Sequence, residues 1–172
     1  MNNLTKLILK RKSVRRFTEI EISDAQIYML LRAAMAAPSA KNVQPWHFVV
    51  IENNETLQQL AAQLPYAKML SSAALAIVVC GDTSMHTGES AQNWIMDCSA
   101  ATQNLLLVAE SIDLGAVWTA AYPYKERMEA VRMAIQLPEH IIPLNVIPIG
   151  APVGGEKPLD KWNPDRIHRE KW

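Results

Sequence analysis

The chain has 172 residues, carries 17 Lys+Arg against 17 Asp+Glu, and is 49% hydrophobic. That length suits one domain with an ample core, and the balanced charge argues against a nucleic-acid partner, which would draw on a surplus of Lys and Arg. The strongest apolar run, AALAIVVC at 73–80, is far shorter than the roughly 20 residues of a spanning helix. In LTKLILKRK, Lys6 and Lys10 bracket too short an apolar stretch for a signal peptide, so the expectation is a cytoplasmic protein with no membrane partner.

In chain order, the pattern predicts a short helix over 3–11 with Leu4, Leu7 and Ile8 on one face. A second helix starts at Ser23, where Gln26 three residues on completes a capping box, and Pro38 stops it. Its expected inner stripe is Ile27, Leu30, Leu31, Ala34 and Met35. Residues 46–51 read as a strand, and 55–64 as a helix capped by Asn53 or Asn54. The apolar run at 73–80 reads as a central strand covered on both faces. The longest helix is expected over 90–112, where Trp94, Ile95, Cys98, Ala101, Thr102, Leu105, Val108 and Ala109 recur at spacings of three and four, with Gly115 as its C-cap glycine. A strand over 116–122, a helix near 125–136 and a strand over 144–150 complete an alternation that predicts α/β layering with helices on both sides of a sheet.

The tail from 151 to 172 differs in kind. Pro152, Gly154, Gly155, Pro158 and Pro164 favour an extended path, yet Trp162 and Trp172 need a surface to cover. The tail either wraps its own domain or wraps a partner subunit.

The chemistry concentrates in two places. Hydrolase elbows, zinc motifs, P-loops and GxGxxG are absent; His47, His86, His140 and His168 are scattered; Cys80 and Cys98 read as small buried hydrophobes. What remains is RKSVRR at 11–16 and APSAKNVQPWHFVVI at 37–51. The first suits a phosphate monoester, held by Arg in a bidentate fork, by a Ser hydroxyl and by a Lys point charge. It is equally readable as a solvated, cation-rich helix end. The second offers small and polar residues for a flat, polar-edged ring, or is simply a strand entrance with a packed Trp.

These segments resemble the nitroreductase family. An RRSxRxF-like opening stands as Arg11-Lys12-Ser13-Val14-Arg15-Arg16-Phe17, and an APSxxNxQPWxF-like segment matches at Ala37, Pro38, Ser39, Asn42, Gln44, Pro45, Trp46 and Phe48. Weaker matches follow: Asp97, Ala101, Gln103, Asn104, Leu105, Leu107 and Ala109; Leu114, Gly115 and Trp118; and Ile149, Gly150 and Pro152. The resemblance implies one FMN-binding domain over 1–172, an α/β (α+β) three-layer fold with a central mixed sheet flanked by helices, and a C-terminal tail swapped in a homodimer. It implies that Arg11 and Ser13 hold the FMN phosphate, with Lys12 adding backbone or charge contacts and Arg15 near the flavin N1/O2 edge. Pro38, Ser39, Ala40 and Asn42 would line the isoalloxazine from the other subunit, with Gln44 a neighbour; the backbone of Thr119 and Ala120 would lie by N5; Lys68 would reach the pyrimidine side. Where the family often has a tail Arg on the phosphate, Lys161 is the nearest match and Arg166 the alternative. The activity implied is electron transfer from NADH or NADPH through FMN to nitroaromatics, quinones or similar flat acceptors, by a ping-pong route with no side-chain nucleophile. The rival is a flavoprotein of the same fold that is not a reductase: a carrier, a sensor or a flavin-modifying enzyme.

Overall fold

Side-chain caps start the first three helices. In the computed structural model, which describes residues 2–172, Asn2 accepts from the Thr5 amide to open α1 (Asn3–Lys10), and Asn53 accepts from the Thr56 amide to open α3 (Asn54–Gln63). Ser23 opens α2 (Asp24–Met35) with the reciprocal capping box, its own amide donating to Gln26 Oε1 at 3.0 Å. The remaining elements are β1 (Phe17–Thr18), β2 (Trp46–Ile51), β3 (Leu75–Asp82), α4 (Asn93–Ser111), β4 (Gly115–Ala116), β5 (Thr119–Ala120), α5 (Lys125–Ile135) and β6 (Ile141–Pro152).

The sheet forms around β6. One edge of β6 pairs with β3, which pairs with β2. The other edge is shared by three short pieces: β5 opposite Asn145–Val146, β4 opposite Ile149–Gly150, and β1 opposite Ala151–Pro152. Along β3 the side chains alternate between two cores. Leu75, Ile77 and Val79 pack with Leu30 and Ala34 of α2 and with Trp94, Cys98, Ala101 and Leu105 of α4. Ala76, Val78 and Cys80 pack with Leu57 and Leu60 of α3 and Val131 of α5. Helices therefore cover both faces of the sheet, and β3 carries no polar side chain from Leu75 to Gly81, where neither face meets water.

Several expectations are corrected. Every strand pairing within the described chain is antiparallel, where a mixed sheet was expected. Hydrophobic period identifies a strand but is silent about its heading. The strand expected over 116–122 is split into β4 and β5, and the strand expected over 144–150 runs from Ile141 to Pro152. A register shift between Val79 and Cys80 leaves Leu144 unpaired with β3, and its carbonyl instead accepts from the amides of Ala121 and Tyr122 at 3.0 Å each. Met35 is 52% exposed, and α1 buries none of its residues. Gly115 does not cap α4. Asp113, at φ 58°, provides the left-handed residue after the helix. Gly115 is needed because an added Cβ would come within 2.6 Å of Val14 Cγ1.

A second close approach yields a prediction. At Gly81 an added Cβ would meet the Trp94 ring at 2.2 Å, and that ring stands edge-on to Tyr122 with 5.1 Å between centroids. Gly81→Ala should lower stability by about 1–3 kcal/mol, the usual effect of overpacking a dense core, read as a lower denaturant midpoint.

Cys80 and Cys98 are free and buried, and Cys98 Sγ donates to the Cys80 carbonyl at 3.4 Å. Burial pushes both thiols from 9.0 up to about 12. An acid whose pKa is raised on folding stabilises the fold below its unfolded pKa and loses that contribution as pH rises through its folded value. Thermal stability should thus fall between about pH 9 and 12, with a shallower fall in the Cys80→Ala/Cys98→Ala variant, and native protein at neutral pH should resist thiol reagents.

Candidate functional site

The edge of β6 shared by β5, β4 and β1 gathers segments distant in sequence. Val14 is buried against Gly115 and donates its amide to the Ala116 carbonyl at 3.0 Å. That single anchor fixes the stretch after α1, placing Ser13 and Arg15 on either side of a buried residue. Two residues on, the Arg16 carbonyl accepts from the Val153 amide, its guanidinium donates to the Gly154 carbonyl at 2.9 Å, and its Nε lies 3.6 Å from Glu156 Oε1. Arg16 thereby clamps the root of the C-terminal tail beside the N-terminal cluster.

The result is a cavity of about 320 Å³ lined by Arg11, Lys12, Ser13, Arg15, Glu156, Lys157, Leu159 and Lys161. Its cations are not equivalent. Lys12 Nζ donates to both carboxylate oxygens of buried Glu110, at 2.9 and 3.1 Å, and Lys10 lies 3.6 Å from the same group. The Lys12 charge is thus committed to α4. Arg11, Arg15, Lys157 and Lys161 make no ion pair among the described residues. Glu156, in the same lining, has Oε2 buried without a hydrogen-bond partner.

Arg15 also lines a smaller adjoining cavity of about 200 Å³ with Tyr66, Trp118, Thr119, Ala120 and Arg127 among its walls. Here the backbone is held from behind. Thr119 Oγ1 donates to the Val146 carbonyl, and Arg127 donates to the Ala120 carbonyl at 3.3 Å while its guanidinium lies 3.8 Å over the Tyr124 ring.

Pro38, Ser39, Ala40, Asn42 and Gln44 line neither cavity. They form a tight loop in which Lys41, Asn42 and Gln44 all take left-handed backbone angles, at φ 53°, 57° and 56°. Ser39 Oγ accepts from the Gln44 amide at 3.0 Å, and the Ala40 amide donates to Asp97 Oδ1 at 3.0 Å. Within one chain, the residues expected to hold one ligand therefore fall into two separate groups. Lys68, in a 3-10 turn at Lys68–Ser72, and Arg166, in one at Pro164–Arg166, line neither cavity. Lys157, Glu156 and Arg127 were missed in the sequence. Lys157 stands four residues before Lys161 and could have been paired with it; Arg127 carried no such signal. No helix is long and apolar enough to cross a membrane, and no group of three or more His, Cys, Asp or Glu could hold a metal ion, among the described residues.

A cluster of guanidinium and ammonium groups with a hydroxyl suits an anion such as a phosphate, and the adjoining cavity, reached through Arg15, is bordered by backbone and aromatic rings. The Nitroreductase family profile matches residues 8–64 and 56–151, and the chain belongs to the nitroreductase family. It is 49% identical to, and superposes with a TM-score of 0.95 on, a Bacteroides thetaiotaomicron crystal structure named "Putative NADH dehydrogenase/NAD(P)H nitroreductase", covering 100% of this chain and 99% of that one. An Archaeoglobus fulgidus protein of the same name is 43% identical over 176 residues, covering both chains fully. A Desulfovibrio desulfuricans structure, described as a "putative nitroreductase in complex with fmn", is 27% identical with a TM-score of 0.86, covering 100% of this chain and 99% of that one.

Proposed function

We propose that this chain is an FMN-dependent oxidoreductase that passes electrons from NADH or NADPH to nitroaromatics, quinones or similar flat acceptors, acting as a homodimer. The observation that carries the reading is the β6-edge cavity, where unpaired Arg11, Arg15, Lys157 and Lys161 meet Ser13. The donor set suits a phosphate dianion. The orphaned Glu156 Oε2 suits a hydroxyl donor next to that phosphate, which the ribityl chain of FMN carries. The name of the Desulfovibrio relative, which includes FMN, supports the same ligand.

Each residue then has a task. Arg11 and Ser13 hold the phosphate, joined from the tail by Lys161 and Lys157. Lys12 contributes through its backbone, because its ammonium balances Glu110. Arg15, shared by both cavities, would lie at the N1/O2 edge, where a fixed cation would favour negative charge on the ring. The Thr119–Ala120 segment, held by Val146 and Arg127, would present its backbone to N5. When bound, FMN would supply the two-electron relay chemistry that a ping-pong exchange between donor and acceptor needs. The protein orients both and excludes water. A cytoplasmic location belongs to this reading, since NADH and NADPH are supplied there.

The second group of ring-lining residues, Pro38–Gln44, comes from the other protomer. Two features support a dimer. Residues 157–172 are all exposed, with Trp162 at 73% and Trp172 at 101%. The outer face of α1 also exposes Leu4, Ile8 and Leu9. The tail leaves its own domain largely uncovered, so its aromatic rings fit a second copy. Purified protein should be yellow and should bleach anaerobically on addition of NADH or NADPH. Colourless protein that takes up no added FMN overturns the proposal, and bound FMN that neither nicotinamide reduces assigns the chain to the non-reductase flavoproteins instead.

A further inference from the structure

One buried ionisable pair has no part in the scheme above. His86, in the connection between β3 and α4, is 5% exposed, and its Nε2 lies 3.2 Å from Oδ2 of Asp97, also 5% exposed. The other oxygen of that carboxylate accepts from the Ala40 amide at 3.0 Å. The chain of contact runs from imidazole to carboxylate to loop backbone. It ends on the loop that holds three non-glycine residues in left-handed conformations. Such conformations are unfavourable for residues other than glycine, so the loop keeps its shape only where its surroundings dictate it. A buried carboxylate keeps its place only if both oxygens have donors. Ala40 supplies one, and His86, with its proton on Nε2, supplies the other.

We propose that His86 is a positioning residue: through Asp97 it fixes the Ala40 amide, and with it the Pro38–Gln44 loop, in the shape that receives the flavin ring of the partner protomer. This rests on the reading of that loop as a ring-lining element. Without the His86 donor, Asp97 Oδ2 is left buried and unpaired, the carboxylate turns toward water, and the Ala40 amide is released. The phosphate cavity, walled by residues 11–15 and 156–161, does not share this support.

The test measures the loop directly and then the ligand. In ligand-free, full-length dimer, His86→Leu should raise amide hydrogen exchange in the peptide spanning 38–44 while leaving β3 and β6 protected. His86→Gln, whose side-chain amide can donate from nearly the same place as Nε2, should restore protection. His86→Leu should also weaken FMN and riboflavin by the same factor, about tenfold or more, the size of a lost hydrogen bond to a charged group, because the ring and not the phosphate is affected. Unchanged exchange and unchanged flavin affinity in folded His86→Leu overturn the proposal. If His86→Leu does not fold, Ala40→Pro decides. It removes only the amide donor, and Ser39 before it already has the extended angles (φ −136°, ψ 152°) that a following proline requires. Ala40→Pro should reproduce the equal loss of FMN and riboflavin, and wild-type affinities there overturn the proposal. A wild-type protein that binds no flavin defeats the functional reading, whereas flavin binding that His86→Leu leaves untouched defeats only the role of His86.

Discussion

Arg11→Ala should raise the dissociation constant for FMN by about 10- to 100-fold and leave that for riboflavin unchanged. A hydrogen bond to a charged group contributes roughly 1.5–3 kcal/mol, and each 1.4 kcal/mol is tenfold in affinity. Arg11 is half-buried, follows the end of α1, and makes no ion pair among the described residues. Its removal therefore leaves the fold intact, and thermal stability should not change. Arg11→Lys should recover only part of the loss, because an ammonium has charge but no planar fork to match two phosphate oxygens. Fluorescence titration with both flavins at two salt concentrations measures all of this, and an equal loss for riboflavin would remove Arg11 from the phosphate. Lys12→Ala should behave differently: it leaves buried Glu110 short of its nearest cation and should lower stability.

Deleting residues 158–172 should convert a dimer into a monomer that no longer retains FMN. The tail presents Leu159, Trp162, Ile167 and Trp172 to solvent, at 76%, 73%, 52% and 101% exposure. Burying a large apolar side chain is favourable by about 1.5–3 kcal/mol, so losing four should weaken association by at least about three orders of magnitude. Flavin binding should fail with it, because the two groups of site residues lie apart in a single chain and the proposed dimer is what unites them. Lys161→Ala in the full chain separates the effects: it should weaken FMN while leaving the dimer intact. Sedimentation and flavin absorbance distinguish the outcomes, and a truncated protein that stays dimeric and yellow would show that the tail is not the clasp.

The elements that local chemistry controls were readable in advance. The Ser23–Gln26 capping box, the Asn53 cap, the three-and-four spacing of α4 and the apolar run of β3 are each set by residues close in sequence, and the structure has each element within three residues of its expected bounds. So, too, was the concentration of cations at 11–16. What could not be read from the chain depends on partners far away. Lys12 looked like a phosphate ligand until α4 brought Glu110, 98 residues on, against it. Gly115 looked like a helix cap because nothing local reports that Val14 will press on it. His86 read only as one of four scattered histidines, because the irregular segment before α4 has no period to aim it at Asp97.

By itself, then, the sequence determined where the helices begin, which strand lies deepest, and that cations and a hydroxyl crowd one short segment. These follow from interactions between near neighbours, whose geometry the backbone repeat specifies. The tertiary structure alone decided the heading of the strands, which of those cations stay free, and that the root of the tail returns to them along β6. Those outcomes depend on packing between distant segments, where a contact exists only after the whole chain has closed around it.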